Sequence, residues 1–175
     1  MERRNKYLSF ESDRLYLRPT TEEDAALVLA ILTSEKALKH IGDRNLHTEE
    51  DARTYIRDRA LTQLHAHGFA NFTMVTKESG TKVGVCGLYV RADLQLIDLG
   101  YALHPDYEGC GYAREASFRL MQAAREDYNQ KKLSAITSVE NVASIRVLKA
   151  LGFDYCGSKM VAGYEGPSEY FEVTL

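Results

Sequence analysis

Short apolar runs of period two alternate along the chain with longer runs of helical period, and the order of these runs outlines the elements. Leu15 and Leu17 alternate with Arg14, Tyr16 and Arg18, which predicts a first strand that Pro19 stops. Thr20 and Glu23 stand at capping-box spacing ahead of an apolar helical run over 25–32, and a broken helical segment over 35–41 leads to Gly42-Asp43. Thr48 to Asp51, with acids in the first turn, predicts a helix reaching His65 or His67 and ended by Gly68. Residues 69–76 and 82–90 read as two strands joined by a hairpin turn at Glu78-Ser-Gly80-Thr81. The second is apolar on both faces, as a central strand is, and Gly84 and Gly87 in it admit close neighbours.

A turn at Arg91-Ala-Asp93 leads into an apolar run over 94–103, read as a buried strand that ends before Pro105 because proline has no N–H for a ladder. Glycines then precede a helical run over 114–127. A polar turn at 129–132, a strand over 133–139 and a helix capped by Asn141 follow. Ile145, Leu148 and Leu151 give that helix an apolar stripe, and Gly152 suits the left-handed position after its end. Two last strands, 153–160 and 170–174, flank a Gly- and Pro-containing connection over 161–169. Residues 1–9 read as a loose lead-in. No repeat or linker divides the chain, so 1–175 is read as a single α/β (α+β) domain.

Composition narrows the function classes. At 175 residues, 45% apolar and 27% charged, the chain has the make-up of a soluble domain with a good-sized core. A net charge of -3 gives no support to a nucleic-acid surface, and no apolar run approaches the roughly 20 residues that span a bilayer. The basic N-terminus lacks the apolar core of a signal peptide, so a cytoplasmic location is expected. The three cysteines have no CxxC spacing, which indicates neither a disulfide framework nor a zinc site; no metal is expected.

The densest chemistry lies in Glu108-Gly109-Cys110-Gly111-Tyr112-Ala113, just ahead of a helix. Glycines let the backbone turn its N–H groups outward, and a helix N-terminus adds unpaired donors and a partial positive charge, so the stretch is suited to an anion. A P-loop is excluded because Tyr-Ala-Arg follows Gly111, and a dinucleotide-binding turn because Arg114 stands where its third glycine belongs. Arg114 in the first helical turn is an unusual choice unless an anion is near. Asp98 interrupts the apolar residues Leu96, Ile97 and Leu99. Such a carboxylate is either a proton acceptor or the partner of an arginine or a backbone bulge.

The loop resembles the acetyl-CoA pyrophosphate loop of the GCN5-related N-acetyltransferases, the GNAT superfamily, with the pattern Gln/Arg-x-x-Gly-x-Gly/Ala. It matches at Gly111 and Ala113, and departs at Glu108. Asn141-Val-Ala-Ser144, followed by a helix and Leu151-Gly152-Phe153, resembles the later motif of the same family. Residues 12–19 and Asp98-Leu-Gly-Tyr101 resemble the opening and central strands of its Rim-type branch, which includes the ribosomal-protein N-terminal acetyltransferases.

The resemblance implies a mixed, strongly bent sheet of about seven strands, splayed between the fourth and fifth and flanked by about four helices. It implies acetyl-CoA as co-substrate, with backbone groups of Tyr101, Ala102 and Leu103 along the pantetheine arm. Glu108, Gly109, Cys110, Gly111, Tyr112, Ala113 and Arg114 would surround its phosphates, and Asn141 would complete that site. Asp98 is expected as base through a water, with Glu165 and Glu169 as weaker candidates. Many members carry a tyrosine where this chain has Leu148, so Ser144 is expected to protonate the leaving thiolate. The acceptor would be a peptide N-terminal amine or a small amine, met by residues of 34–48 and 161–169. Tyr55, Tyr101, Tyr164 and Tyr170 are candidates for lining its cleft. A monomer or homodimer fits, and a non-catalytic acyl-CoA-binding regulatory protein is the alternative.

Overall fold

The computed structural model describes residues 7–175; of the lead-in expected over 1–9, residues 1–6 lie outside the description. Its strands form one eight-stranded sheet in the order β1-β2-β3-β4-β5-β6-β8-β7. They are β1 (Phe10–Glu11), β2 (Leu15–Pro19), β3 (Asn71–Thr76), β4 (Lys82–Tyr89), β5 (Asp98–Leu103), β6 (Lys132–Thr137), β7 (Asp154–Met160) and β8 (Pro167–Thr174). All neighbours are antiparallel except β5 and β6. The strand beyond the expected seven is β1, whose two residues are too few to carry a period.

Between β2 and β3 the chain forms α1 (Ala25–Leu32), α2 (Glu35–His40) and a long helix. That helix runs as α3 (Glu49–Tyr55), a π-helical turn (Ile56–Leu61) and α4 (Thr62–His67), and ends at left-handed Gly68. Thr48 and Asp51 cap it reciprocally. Ahead of α1 the capping residues are Thr21 and Asp24, one step later than Thr20 and Glu23: Thr21 N–H donates to Asp24 Oδ2 at 3.0 Å. Thr20 is buried instead and its hydroxyl meets that of Thr73 at 2.9 Å. Burial decides which threonine is left to cap.

The main core lies where α5 (Tyr112–Glu126) lays Ala116, Leu120, Ala123 and Ala124 on Phe72, Cys86 and Leu99 of the sheet. On the other face, α1 and the long helix share a smaller core of Val28, Ala52 and Ile56. The last helix, α6 (Val142–Ala150), has Asn141 as its cap, and Gly152 follows it at φ +89°.

β5 starts at Asp98 rather than at 94. Residue 94 instead closes a turn onto Arg91 O at 3.2 Å, and its leucine side chain packs with Val161 and Tyr170. The apolar run that looked like strand was therefore burying a connection. Asp98 opens the strand, opposite Tyr89, instead of interrupting it.

Gly84 is required by close packing in β4. A Cβ there would sit 2.6 Å from Ala102 O, a backbone atom held in the ladder with β5. Gly84→Ala is expected to cost about 2 kcal/mol, the usual penalty of overpacking. The check is a lower denaturant midpoint at unchanged m-value.

Candidate functional site

β5 and β6 run parallel and touch at a single register pair, Asp98 with Ser134, where Ser134 N–H donates to Ile97 O at 2.9 Å. Beyond it they part, while β6 stays paired with β8 along its length. The side of β5 that carries Tyr101, Ala102 and Leu103 thus faces a gap instead of a strand. A cavity of about 640 Å³ opens there and runs between α1, α2, the long helix, both strands and α6.

At one end of the cavity is the glycine loop. A short 3₁₀ turn, Pro105–Tyr107, leads into it, and Gly109 and Gly111 take φ +74° and +83°, a region that favours glycine. Gly111 caps α5 with no side-chain acceptor for the first-turn N–H groups. Glu108, Gly109, Gly111, Ala113 and Arg114 all line the cavity. Cys110 and Tyr112 do not. Cys110 is exposed and its carbonyl accepts from Arg14 Nη1 at 3.0 Å, while Tyr112 lies under the Arg14 guanidinium, 4.6 Å away. Arg14 is anchored in turn by Glu115 at 2.7 Å, which braces the loop against β2. Glu108 is engaged by Lys36 at 3.4 Å. Arg114 is in no ion pair among the described residues.

Midway along the gap, the Tyr101 hydroxyl donates to Ser144 Oγ at 3.3 Å, so a side chain of β5 reaches across to α6. Burial pushes the Tyr101 phenol up, and the Ser144 contact works against that. Asn141 Oδ1 accepts from Ser144 N–H at 3.2 Å, which leaves the serine hydroxyl proton for another acceptor. The family's usual tyrosine is absent at Leu148, yet a tyrosine hydroxyl arrives at this level from the strand. Sequence reading expected Tyr101 here for its backbone along the pantetheine arm and as a candidate lining the acceptor cleft, not for a hydroxyl bonded to Ser144.

Asp98 lies at the far end, 1% exposed. Its Oδ2 takes Arg91 Nε at 2.8 Å and its Oδ1 takes the Ser134 hydroxyl at 3.4 Å. Burial pushes this carboxyl up to about 6, against the pull of Arg91 and Ser134. Arg91 also donates to the Tyr164 hydroxyl at 3.3 Å and lies near the Tyr89 ring. Asp93 holds the 161–169 connection in place by accepting from Ala162 N–H at 2.8 Å.

Arg44 joins the two segments expected to meet an acceptor: its Nη1 donates to Gly163 O at 2.8 Å and its guanidinium lies 5.2 Å from the Tyr164 ring. Tyr55 and Tyr164 line the cavity, whereas Tyr170 is buried beside it with its hydroxyl on Glu172 Oε1 at 2.9 Å. Neither Glu165 nor Glu169 lines the cavity.

Sequence reading missed Arg59, Tyr89 and Arg91, and within the expected segment 34–48 it did not single out His40 or Arg44; all five line the cavity. The His40 ring meets the Ser138 hydroxyl at 2.6 Å, and burial, Lys39 and Lys36 lower its pKa. Arg91 had a usable signal. A strand carboxylate needs a cation, and a hairpin that sets Asp98 opposite Tyr89 brings Arg91 within reach.

Comparison with known proteins agrees with this geometry. An uncharacterised N-acetyltransferase of Bacillus subtilis, YoaA, is 23% identical over 91% of this chain and 90% of its own length. The spermidine N(1)-acetyltransferase of Escherichia coli K12 is 26% identical over 82% of this chain and 75% of its own. Among solved structures, RimL, a ribosomal L7/L12 alpha-N-protein acetyltransferase in complex with coenzyme A, superposes with a TM-score of 0.79 at 18% identity. That match covers 96% of this chain and 98% of the other. The family model for the acetyltransferase (GNAT) domain matches residues 14–154, and with most of its length so matched the chain belongs to the GNAT acetyltransferase family.

Proposed function

We propose that the protein transfers the acetyl group of acetyl-CoA to a primary amine, a peptide N-terminal amine or a small-molecule amine, with both substrates in the one cavity. The observation that carries this reading is the joining of three features in that cavity: the glycine loop at the start of α5, the open side of β5, and Asp98 with Ser144 along the gap. GNAT acetyltransferases use acetyl-CoA, which supplies an acetyl thioester open to attack by an amine.

The residues fit that co-substrate. First-turn N–H groups of a 15-residue helix, left without a side-chain cap, suit a pyrophosphate. Arg114 is the cation beside them. The unpaired side of β5 at Tyr101, Ala102 and Leu103 suits an extended amide-bearing chain, which adds to it as a strand would. Holding both reactants in one cleft supplies much of the rate through proximity.

An amine reaches the cavity mainly as ammonium and must lose a proton before it attacks. Asp98 takes that proton through a water: its acidity, brought near neutrality by burial, matches a general base, and the Arg91 pair keeps it ionised at pH 7. As the new C–N bond forms and the C–S bond breaks, the Ser144 hydroxyl donates to the leaving sulfur and is resupplied from Tyr101; the second proton, which the nitrogen sheds on becoming an amide, returns through water to Tyr101, so each hydroxyl ends the turnover protonated. Ser144→Ala is expected to lower kcat about tenfold, below the usual range for acid catalysis because thiolate leaves readily. Acetyl-CoA affinity should hold. Stopped-flow thiol release and calorimetry read the two quantities.

The test of the whole reading is a calorimetric titration with acetyl-CoA, followed by thiol release against a panel of peptides and small amines. Binding with release from at least one amine supports it. Absence of binding at high micromolar acetyl-CoA would remove it.

A further inference from the structure

Two guanidinium groups in the acceptor half of the cavity have no carboxylate partner among the described residues, and their charge bears on which amines can enter. Arg44 reaches only carbonyl oxygens, Gly163 O at 2.8 Å and Ile41 O at 3.2 Å. Its Nε is buried and has no hydrogen-bond acceptor among the described residues. Buried donors of native proteins are almost always matched, so such an atom beside a cavity marks a place where a ligand supplies the acceptor. Arg59 stands in the π-helical turn of the long helix, with its guanidinium 5.3 Å from the Tyr55 ring, and it is in no ion pair among the described residues. Single π turns inside helices recur at functional sites because they shift side chains out of the regular pattern.

The third cation, Arg91, is balanced by Asp98. Of the acids along the cavity, the other is Glu108, at the opposite end by the glycine loop and engaged by Lys36. The acceptor half thus carries two uncompensated positive charges in a chain whose net charge is -3. The Tyr164 ring, flanked by Arg44 at 5.2 Å and Arg91 at 5.5 Å, holds two of the three guanidinium groups around one point.

We infer that the acceptor is a primary amine that also carries a carboxylate, as in an acidic amino acid or the acidic start of a peptide, with Arg44 and Arg59 as the residues that select it. This rests on the acetyl-transfer reading above and names its substrate class. Arginine forks suit carboxylate oxygens and hold them in two parallel hydrogen bonds. The same charge repels a polyamine, which brings further ammonium groups toward the half-buried Arg44 and the exposed Arg59.

The experiment compares matched acceptors with the wild-type protein saturated in acetyl-CoA: L-glutamate against L-glutamine amide, the peptide Ala-Glu-Glu against Ala-Gln-Gln amide, and spermidine. Carboxylate-bearing acceptors should exceed their neutral partners at least about tenfold in kcat/KM, with spermidine lowest, and the ratio should shrink as salt is raised. The free amino acid pair against the peptide pair tells which source of carboxylate is used. Arg59→Gln should reduce the preference severalfold and Arg59→Lys should restore part of it. Arg44→Gln should do the same, and its folding is checked by its acetyl-CoA affinity, which should match wild type. Where no acceptor turns over, titration of the acetyl-CoA-bound protein with Ala-Glu-Glu and with Ala-Gln-Gln amide decides instead, and only the former should bind. Equal use or equal binding of acid and amide, or a preference for spermidine, overturns the inference. Failure to bind acetyl-CoA overturns the function reading separately.

Discussion

Asp98→Asn is expected to lower kcat by about a hundredfold or more, the usual scale for removing a general base, while acetyl-CoA binding persists. In wild type, activity should fall on an acid limb centred near pH 6, where the buried carboxyl takes up its proton, and that limb should be missing in the variant. The substitution also tests whether Asp98 serves only to hold Arg91, and here the stability readout helps. Its pKa in the folded protein, about 6, lies above the unfolded 3.8, so the native state binds this proton more tightly than the unfolded chain. The stabilisation from that proton is complete below about pH 3.8 and is lost as pH rises through 6. At pH 7 the ionised, buried Asp98 is therefore a burden that Arg91 relieves only in part. A neutral asparagine of the same shape removes that burden but leaves the largely buried Arg91 without its carboxylate, so stability at pH 7 should fall by less than it does for Asp24→Ala. A variant that folds and binds acetyl-CoA but does not turn over identifies Asp98 with proton transfer. A variant that turns over normally removes that role and leaves only the Arg91 pair.

The parts of the fold written in local rules were legible. Asn141 as a cap, Gly152 as the left-handed residue after α6, and Gly68 at the end of the long helix each follow from the conformational preferences of one residue. So does the glycine loop before α5. The parts set by tertiary packing were not. Leu94 is apolar because it covers Val161 and Tyr170, and period alone cannot distinguish that from strand. Thr20 and Thr21 are equally good caps until the Thr73 hydroxyl claims one of them. At the site, motif residues came into view, as did the 34–48 segment that holds Arg44, but neither Arg44 nor Arg59 was singled out. One sits in a connection and the other inside a helix, and solvated arginines are ordinary in both. What makes them notable is that no carboxylate among the described residues pairs with them, which only the packed chain reveals. Tyr101 was legible as a residue of the β5 strand, but its hydroxyl crosses to Ser144 only because β5 and β6 part.

Asp24→Ala is expected to destabilise the protein by about 3–5 kcal/mol, the scale for removing one member of a buried charge network. Asp24 is fully buried, yet it holds five groups: both terminal nitrogens of Arg18 at 2.8 Å, Lys82 Nζ at 2.8 Å, the Thr73 hydroxyl at 2.9 Å and Thr21 N–H at 3.0 Å. Those groups come from β2, β3, β4 and the start of α1, so one carboxylate ties the helical layer to the sheet. Burial alone would raise its pKa, but Arg18 and Lys82 outweigh it and hold the group well below the ordinary carboxylate range. The sign is then opposite to that at Asp98. The folded-state pKa is depressed, so the stabilisation is fully present above the unfolded value of 3.8 and is lost only as pH falls below it. Denaturant unfolding of wild type from pH 7 to pH 3 should include a loss of stability below about pH 4 that Asp24→Ala lacks. Arg18 and Lys82 keep about a third of their side chains in water and can rehydrate once the carboxylate is gone. The unsatisfied remainder sits at Thr73 and at the start of α1, which together with α2 lines the cavity. Beyond the drop in stability, the variant should therefore raise KM for the amine and Kd for acetyl-CoA together. No change in either, or a loss below about 1 kcal/mol, would mean that the carboxylate is replaceable by water and that the helical wall is held elsewhere.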